Sequence, residues 1–385
     1  MSDDGKFSLL VAIRYFGWGG LGKLRLILDN LPNARVALYG STRINALTKE
    51  VLGSRHIFEQ TTDRADVALV INDYRAANAI ADLKIPVVYV DSLPYLRTTD
   101  AEIPAHGKVA YYCVQKYPIG LLPLAKPLQT AADIKWIDSI TPSPRSRRGG
   151  RGVVVSLGGL HTYDISGLDG GLASRSAAAY LTLVLFPLVN ILQAAGRKLF
   201  AVSGNLDADT CRRLRALLPE CEKIGPQSPY GFERILDDAD LLITSPGSTT
   251  ILQAMAGNLP TLLLPPQNTS QILNARLYSK PGADTMPWPA DMLDLEKLEQ
   301  ARSGGLVPAS AYVYQSIVDA AASREMSDAI GAVIHEAIRS APADGVLNPD
   351  ILRLGFAGAG QVAKLIKEAM VASRQTPERK AILRE

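Results

Sequence analysis

Cysteine is scarce: three residues in 385, widely spaced, supply neither a disulfide framework nor a zinc site. A reducing, cytoplasmic setting is the simplest expectation. Charge of one sign is also missing. The chain carries 41 Lys and Arg against 38 Asp and Glu, a net charge of +3. That balance gives no argument for nucleic acid or a membrane surface as a partner. No signal peptide is visible, because "MSDDGKFSLLVAIRYF" opens acidic and its apolar run reads as a first strand. Long hydrophobic runs are few. The most apolar, "AAAYLTLVLFPLVNILQAAG", is interrupted by Pro187, Asn190 and Gln193, so a buried helix is expected there and no integral membrane segment. What remains is a chain with 47% hydrophobic and 21% charged residues, the balance of a soluble globular protein. It is long enough for two domains with a core in each.

Short apolar runs alternate with helical patterns from end to end. "SLLVAIRY" leads into "GWGGLGKLRLILDNL", then "ARVALYG". "DVALVIND", "PVVYVDS" and "VAYYCVQ" follow with helices between. Strands that are apolar throughout, separated by helices, imply parallel sheets covered on both faces. A stretch without periodicity, "DSITPSPRSRRGGRG" (138–152), then reads as a solvated interdomain linker. After it the alternation restarts with "GVVVSLGGL", "KLFAVSG", "LLITSP" and "TLLLPP".

The expected plan is therefore α/β, with two Rossmann-like, doubly wound, parallel-sheet domains facing a central cleft. Residues 1–140 form the N-terminal domain, 141–152 the linker, 153–340 the C-terminal domain and 341–385 C-terminal helices. Ligands bind beyond the carboxyl ends of such strands, so the site is expected between the two sheets.

Three strand-to-helix turns are rich in glycine: "FGWGGLGKL" (16–24), "SLGGLHTYDISG" (156–167) and "SPGSTT" (245–250). Glycine lets the backbone approach a ligand, and a helix N-terminus offers free N–H donors with partial positive charge. None of the three has the P-loop ending, and no acidic residue ends the strand after "GWGGLGKL", so the dinucleotide fingerprint is missed too. The third turn says most. Thr249 and Gln253 share a helix face. Thr249 or Thr250 can hydrogen-bond a phosphate at the helix mouth, with Gln253 a turn deeper, within reach of a ribose. Ser248 or Thr249 could instead simply cap the helix. In "LDADT", Asp207 and Asp209 open a helix and read as caps. "GFAGAG" (355–360) reads as a small-residue packing face or a turn.

The stretch "ADLLITSPGSTTILQAMAGNLPTLLLPPQNTSQILNARL" resembles the nucleotide-sugar signature of GT-B glycosyltransferases. It is most similar to the group containing the lipid-intermediate N-acetylglucosaminyltransferase of peptidoglycan synthesis. The resemblance rests on Ser245, Gly247, Thr250, Ala256-Gly257, Pro260, Pro265, Gln267, Gln271 and Asn274-Ala275. It implies the GT-B fold with a helical C-terminal tail, and a nucleotide-sugar donor held by the C-terminal domain. Gln253 stands where that family commonly has a ribose-binding glutamate, and an amide can serve the same hydroxyls.

By the same resemblance, Ser156, Gly158 and Gly159 face the donor diphosphate. Gln227, Tyr230 and Phe232 in "GPQSPYGF" offer a platform for the base. Gly19, Gly20 and Lys23 lie in an acceptor-side loop, where Lys23 either neutralises a phosphate or sugar carboxylate or is solvated.

Helix termini and hydroxyls can stabilise a leaving diphosphate without metal, and no metal or other cofactor is expected. An acceptor must lose a proton, so a base is sought. Asp91, at the end of "PVVYVDS", is the first choice, matching an acidic position in related chains; Asp73, ending "LVIND", is the second. Either can equally be a strand-end or capping residue. His161 lies beside the diphosphate loop; His56, His106 and His335 have no such context.

The expected function is transfer of a sugar from a UDP-type donor to a small-molecule acceptor, with inversion. A narrower resemblance, to the cytosylglucuronate synthases of peptidyl-nucleoside antibiotic pathways, rests on the Trp-Gly…Gly-Lys-Leu opening. It implies glucuronyl transfer to a pyrimidine, with Arg14, Lys23 or Arg25 binding a carboxylate. A nucleotide-sugar 2-epimerase, a hydrolase or a non-catalytic binding module of the same fold are the other readings.

Overall fold

A computed structural model describes residues 6–14, 18–40, 45–46, 48–49, 52–53, 57–59, 65–96, 103–105, 107–118, 134–158, 160, 169–283 and 286–375. The N-terminal half is built on β1 (Phe7–Ile13), α1 (Trp18–Asp29), β2 (Ala34–Leu38), β3 (Ile57–Glu59), β4 (Val67–Ile71), α2 (Tyr74–Asp82), β5 (Val87–Asp91), β6 (Tyr111–Gln115) and β7 (Ile134–Ile137). Among the described residues its seven strands are all parallel, in the order β3-β2-β1-β4-β5-β6-β7. β4 and β5 are buried at every position. That is why they read as unbroken apolar runs and not as an alternation.

The second half opens with β8 (Val153–Ser156) and one long helix, made of α3 (Gly170–Tyr180), a π-helical turn (Leu181–Leu185) and α4 (Phe186–Ala194). The π turn lies just before Pro187, which has no N–H to donate to the preceding turn. This helix, Gly170–Ala194, is long and apolar enough to cross a membrane, and half of its most apolar 18-residue stretch is buried inside the protein. Then follow β9 (Leu199–Ser203), α5 (Ala208–Leu217), β10 (Lys223–Gly225), α6 (Pro229–Asp238), β11 (Leu241–Thr244), α7 (Ser248–Ala256), β12 (Thr261–Leu263) and α8 (Thr269–Tyr278). The five strands are again parallel, in the order β10-β9-β8-β11-β12. Two doubly wound sheets in one chain are the GT-B plan expected from the sequence.

The remaining helices are α9 (Leu295–Ser303), α10 (Leu306–Ala321), α11 (Arg324–Arg339) and α12 (Gly358–Gln375). α10 packs on α3, and α11 on the π turn and α4, which covers the apolar helix. α12 returns to the first half. Its Val362, Ala363, Ile366 and Ala369 complete one face of the N-terminal core. The "GFAGAG" string makes this crossing possible. A Cβ on Gly358 would lie 2.2 Å from the Asp138 carbonyl oxygen, so only glycine lets α12 start there.

The linker is less free than its composition implies. Arg148 pairs with Asp238 at 2.6 Å, Arg151 with Glu222 at 2.7 Å, and Arg145 with Asp237. Arg147 donates to the carbonyls of Gly257 and Ala239. The linker is largely exposed, as expected, but Glu222, the acidic end of α6 and the residues after it give its arginines partners.

Candidate functional site

Both sheets have their topological switch points, β1/β4 and β8/β11, facing one cleft. The cleft encloses roughly 1450 Å³, open to solvent.

Three turns bring their ends to it. Ser245 N–H donates to the Ser156 carbonyl at 2.9 Å, which joins the turns after β8 and β11. Asn274 Nδ2 donates to the Pro246 carbonyl at 2.7 Å, and Gln267 Nε2 to Ser245 Oγ, which hold the second turn in shape. Gln271 Oε1 accepts from Gln267 N–H at 2.8 Å. A buried proline-rich turn leaves carbonyls in need of donors, and two side chains supply them. Tyr180 OH donates to the Pro265 carbonyl at 2.6 Å and Trp288 Nε1 to the Pro266 carbonyl at 2.7 Å.

α7 starts at Ser248 from Gly247, with no side-chain cap. The capping reading of Ser248 or Thr249 therefore fails, and its first-turn N–H groups stay open at the cleft. α1 meets it from the other domain. A Cβ on Gly19 would lie 3.0 Å from Thr249 Oγ1, and one on Gly22 3.6 Å from Thr249 Cγ2. Gly19 thus serves the close approach of α1 to the start of α7, while a Cβ on Gly20 would meet Ile13 at 2.9 Å within its own domain.

Lys23 sits at their junction. It is 2% exposed, and its Nζ donates to Thr249 Oγ1 at 3.0 Å. No carboxylate pairs with it among the described residues. Burial pushes its pKa from 10.5 down to about 8. The described lining contains Arg14 and Lys23 as its charged side chains and no Asp or Glu. The cleft is therefore prepared for an anion: two helix N-termini, hydroxyls and an unneutralised cation converge on one point. No group of three or more His, Cys, Asp and Glu able to hold a metal occurs among the described residues.

The structure gathers most of the sequence-predicted residues. Gly19, Gly20 and Lys23 line the cleft from the N-terminal side. Ser156, Gly158, Ser245 and Gly247 line it from the two C-terminal turns, Ser248, Thr249, Thr250 and Gln253 from α7, and Gln271 from α8. Gln227 and Phe232 also face it. Gly159 and His161 lie outside the described residues, as do His56 and His106. His335 is exposed on α11. Asp207 caps α5 through Thr210 N–H at 2.7 Å, and Asp209 pairs with Arg212.

Three expected site residues are placed elsewhere. Tyr230 turns to α1, where its hydroxyl donates to Asp29 at 2.7 Å and Arg25 lies 4.4 Å above its ring. It joins the domains and offers no platform in the cleft. Asp73 caps α2 through Ala76 N–H at 3.0 Å. Asp91 is 4% exposed and accepts from Tyr112 OH at 2.8 Å and from Leu93 N–H at 3.2 Å. As the last residue of β5 it shares a face with Tyr89, which stacks on Tyr112, and that face packs into the core.

The cleft receives their neighbours. Asn72 and Ser92 line it, tied by Ser92 N–H to Asn72 Oδ1 at 2.9 Å and Asn72 Nδ2 to Ser92 Oγ at 3.0 Å. Asn72 has φ of 58°, a conformation that Asn tolerates better than most residues. Ser203, Thr269 and Ser310 also line the cleft without any sequence signal beyond lying near strand or helix ends. From this geometry, Asp91→Asn should cost about 1–3 kcal/mol of stability, the range for disturbing a buried hydrogen-bonded group. Urea unfolding checks this, and an unchanged stability would mean that the Tyr112 and Leu93 bonds do not hold Asp91 in the core.

The sequence matches the model of a family described as CGA synthase-related protein over residues 37–301, about two thirds of the chain. No curated protein matches it. Among solved structures it is similar to a UDP-glucosyltransferase from Polygonum tinctorium capable of glucosylating indoxyl, with 12% identity and a TM-score of 0.47, covering 97% of this chain and 100% of that one. It is similar also to MurG from Acinetobacter baumannii (12%, 0.43, 94% and 99%) and to UGT2 from Phytolacca americana (12%, 0.44, 96% and 100%).

Proposed function

Because the chain belongs to the CGA synthase-related family, we propose that it is a glycosyltransferase moving a sugar from a UDP-type nucleotide sugar to a small-molecule acceptor. One observation carries the reading: Lys23, buried and without a carboxylate partner among the described residues, points at the open N-terminus of α7 inside a cleft with no acidic lining residue there. A diphosphate is the ligand chemistry that such a point suits. Ser245, Ser248, Thr249 and Thr250 offer it hydroxyls and N–H groups, and Gln253 reaches the ribose one helical turn on. Gln227 and Phe232 border the base.

As the glycosidic bond to the diphosphate breaks, charge builds on the leaving oxygen. Fixed dipoles of α1 and α7, with the Lys23 ammonium, oppose that charge without reorganising. The acceptor then occupies the side lined by Asn72, Ser92 and Leu96. Attack from that side, opposite the departing diphosphate, forms the bond to the acceptor as the bond to the diphosphate breaks and inverts the sugar carbon, and the acceptor's proton passes to solvent, to which the cleft is open. The narrower form of the proposal is glucuronyl transfer to a pyrimidine. Arg14, on the acceptor side of the same lining, is the cation that would meet the sugar carboxylate.

A thermal-shift screen of nucleotides and nucleotide sugars tests the reading. UDP at a hundred times its Kd should add about 2.7 kcal/mol of stability and raise Tm accordingly. If no nucleoside diphosphate raises Tm, the proposal fails. Slow loss of UDP-sugar alone and fast loss with an acceptor supports transfer. A product with altered sugar stereochemistry identifies an epimerase, and binding without turnover a binding module.

A further inference from the structure

The domains touch through more than the cleft walls. Residues 92–96 form the N-terminal segment beside the cleft, where Ser92, Leu93 and Leu96 contribute lining atoms. Its first two residues are tied to its own domain. Asn72 holds Ser92 N–H, and Asp91 holds Leu93 N–H. Tyr95 leaves this segment and enters the core of the other domain, where it is 7% exposed among residues of the C-terminal half, with the Tyr117 ring 5.5 Å away. Its hydroxyl donates to Asn274 Oδ1. The same amide then donates through Nδ2 to the Pro246 carbonyl, in the turn that opens α7. Asn274 is 2% exposed, so neither bond is exchanged easily for water.

We propose that Tyr95 is a positioning residue: the Tyr95–Asn274–Pro246 chain ties the acceptor-side segment to the anion-binding turn, so that filling the turn orders the segment. The proposal rests on reading Ser245–Thr250 as the diphosphate site. Its physical content is the two-ended use of one amide. Turning Asn274 toward a ligand would break a bond to each domain, so its favourable state is the one in which both domains are in place. A diphosphate that stiffens Pro246–Ser248 therefore stiffens Asn274, and through it Tyr95 and residues 92–96. By linkage, an acceptor that orders residues 92–96 tightens the diphosphate site by the same factor. Tyr95 does not line the cleft; its hydroxyl meets two residues that do, Asn274 and Ser248 at the start of α7, so both of these contacts lead to the same turn.

Amide hydrogen exchange on the full chain tests this, with Tyr95→Phe, which keeps the ring and removes the hydroxyl. In the unsubstituted protein, saturating UDP should slow exchange across residues 92–96 at least fivefold. In Tyr95→Phe, the UDP Kd should stay within threefold while that remote protection is lost. A purely structural role for Tyr95 would instead lower Tm and speed exchange throughout, with the UDP effect intact. Protection of 92–96 that persists in Tyr95→Phe overturns the proposal.

A ligand-free arm decides it independently. Asn274→Ala should speed exchange at residues 247–250, and adding Tyr95→Phe should give less than the product of the two single effects, because both side chains serve one network on that turn. Additive effects overturn the relay. If UDP fails to bind the unsubstituted protein, the glycosyltransferase reading falls and this second arm still rules on the relay.

Discussion

Lys23→Met is expected to make the ligand-free protein more stable and UDP binding weaker. An ammonium in a dry site without a counter-ion opposes folding. The drop of its pKa from 10.5 to about 8 corresponds to a gain of up to about 3 kcal/mol at pH 7 once the charge is removed. The lost bond to Thr249 offsets part of that. UDP affinity should fall about 10- to 100-fold, the effect of losing one charge-assisted hydrogen bond of about 1.5–3 kcal/mol.

The pH dependence has a definite sign. Between pH 8 and 10.5 the unfolded chain keeps the Lys23 proton and the folded chain does not, so stability rises with pH across that window. The penalty is complete below pH 8 and gone above 10.5. A bound diphosphate favours the ammonium, so UDP binding takes up a proton above pH 8 and weakens by up to about tenfold per pH unit there. Lys23→Met should abolish both slopes. Calorimetric titration at pH 7, 8 and 9, with urea unfolding at the same values, measures them. A destabilised variant with unchanged UDP affinity would mean that Lys23 is only a tie between α1 and α7.

Arg25→Met should be the most damaging change outside the cleft. Arg25 lies two residues beyond Lys23 on α1, is 3% exposed and reaches Glu233 on α6 at 2.9 Å and Asp29 at 3.6 Å. Tyr230 completes the group with its ring beneath Arg25 and its hydroxyl on Asp29. Methionine keeps the apolar stem and removes the fork, leaving Glu233 with Arg145 at 3.3 Å as its remaining cation. Breaking a buried pair by deleting one partner costs about 3–5 kcal/mol. The Arg145 contact and the partial exposure of Glu233 reduce the expectation to about 2–4 kcal/mol. Urea unfolding of Arg25→Met, Glu233→Gln and the double variant checks it. Strong non-additivity is expected, since the three groups share one network. A cost under about 1 kcal/mol would make this an ordinary surface pair.

Much of the architecture was legible because it depends on local pattern. A strand covered on both faces needs apolar side chains at every position, and "VALVI" and "VVYVD" show that without any partner in view. The glycine turns at strand ends were legible as short local motifs, although of their described glycines only Gly19 and Gly20 leave a Cβ too little room. The site residues divided along a different line. Gly19, Thr249, Gln253 and Gln271 were found because motif and helical spacing place them at element ends. Asp91 and Ser92 are adjacent, yet one faces the core and the other the cleft. Tyr230 and Phe232 are two apart on α6, a rotation of about 200°, so one faces α1 and the other the cleft. Residue type made Asp91 and Tyr230 attractive; strand and helix phase decided against them.

Local pattern was enough to specify two parallel α/β halves, the strands that carry them and the turns where a ligand can meet backbone. Each of these follows from residues within a few positions of one another. Tertiary structure alone decided that Lys23 is buried beside Thr249, 226 positions away, that Tyr95 reaches Asn274, and that the linker arginines have partners. Burial, charge pairing and the direction of a strand-end side chain depend on how distant segments dock, and local periodicity carries no term for that.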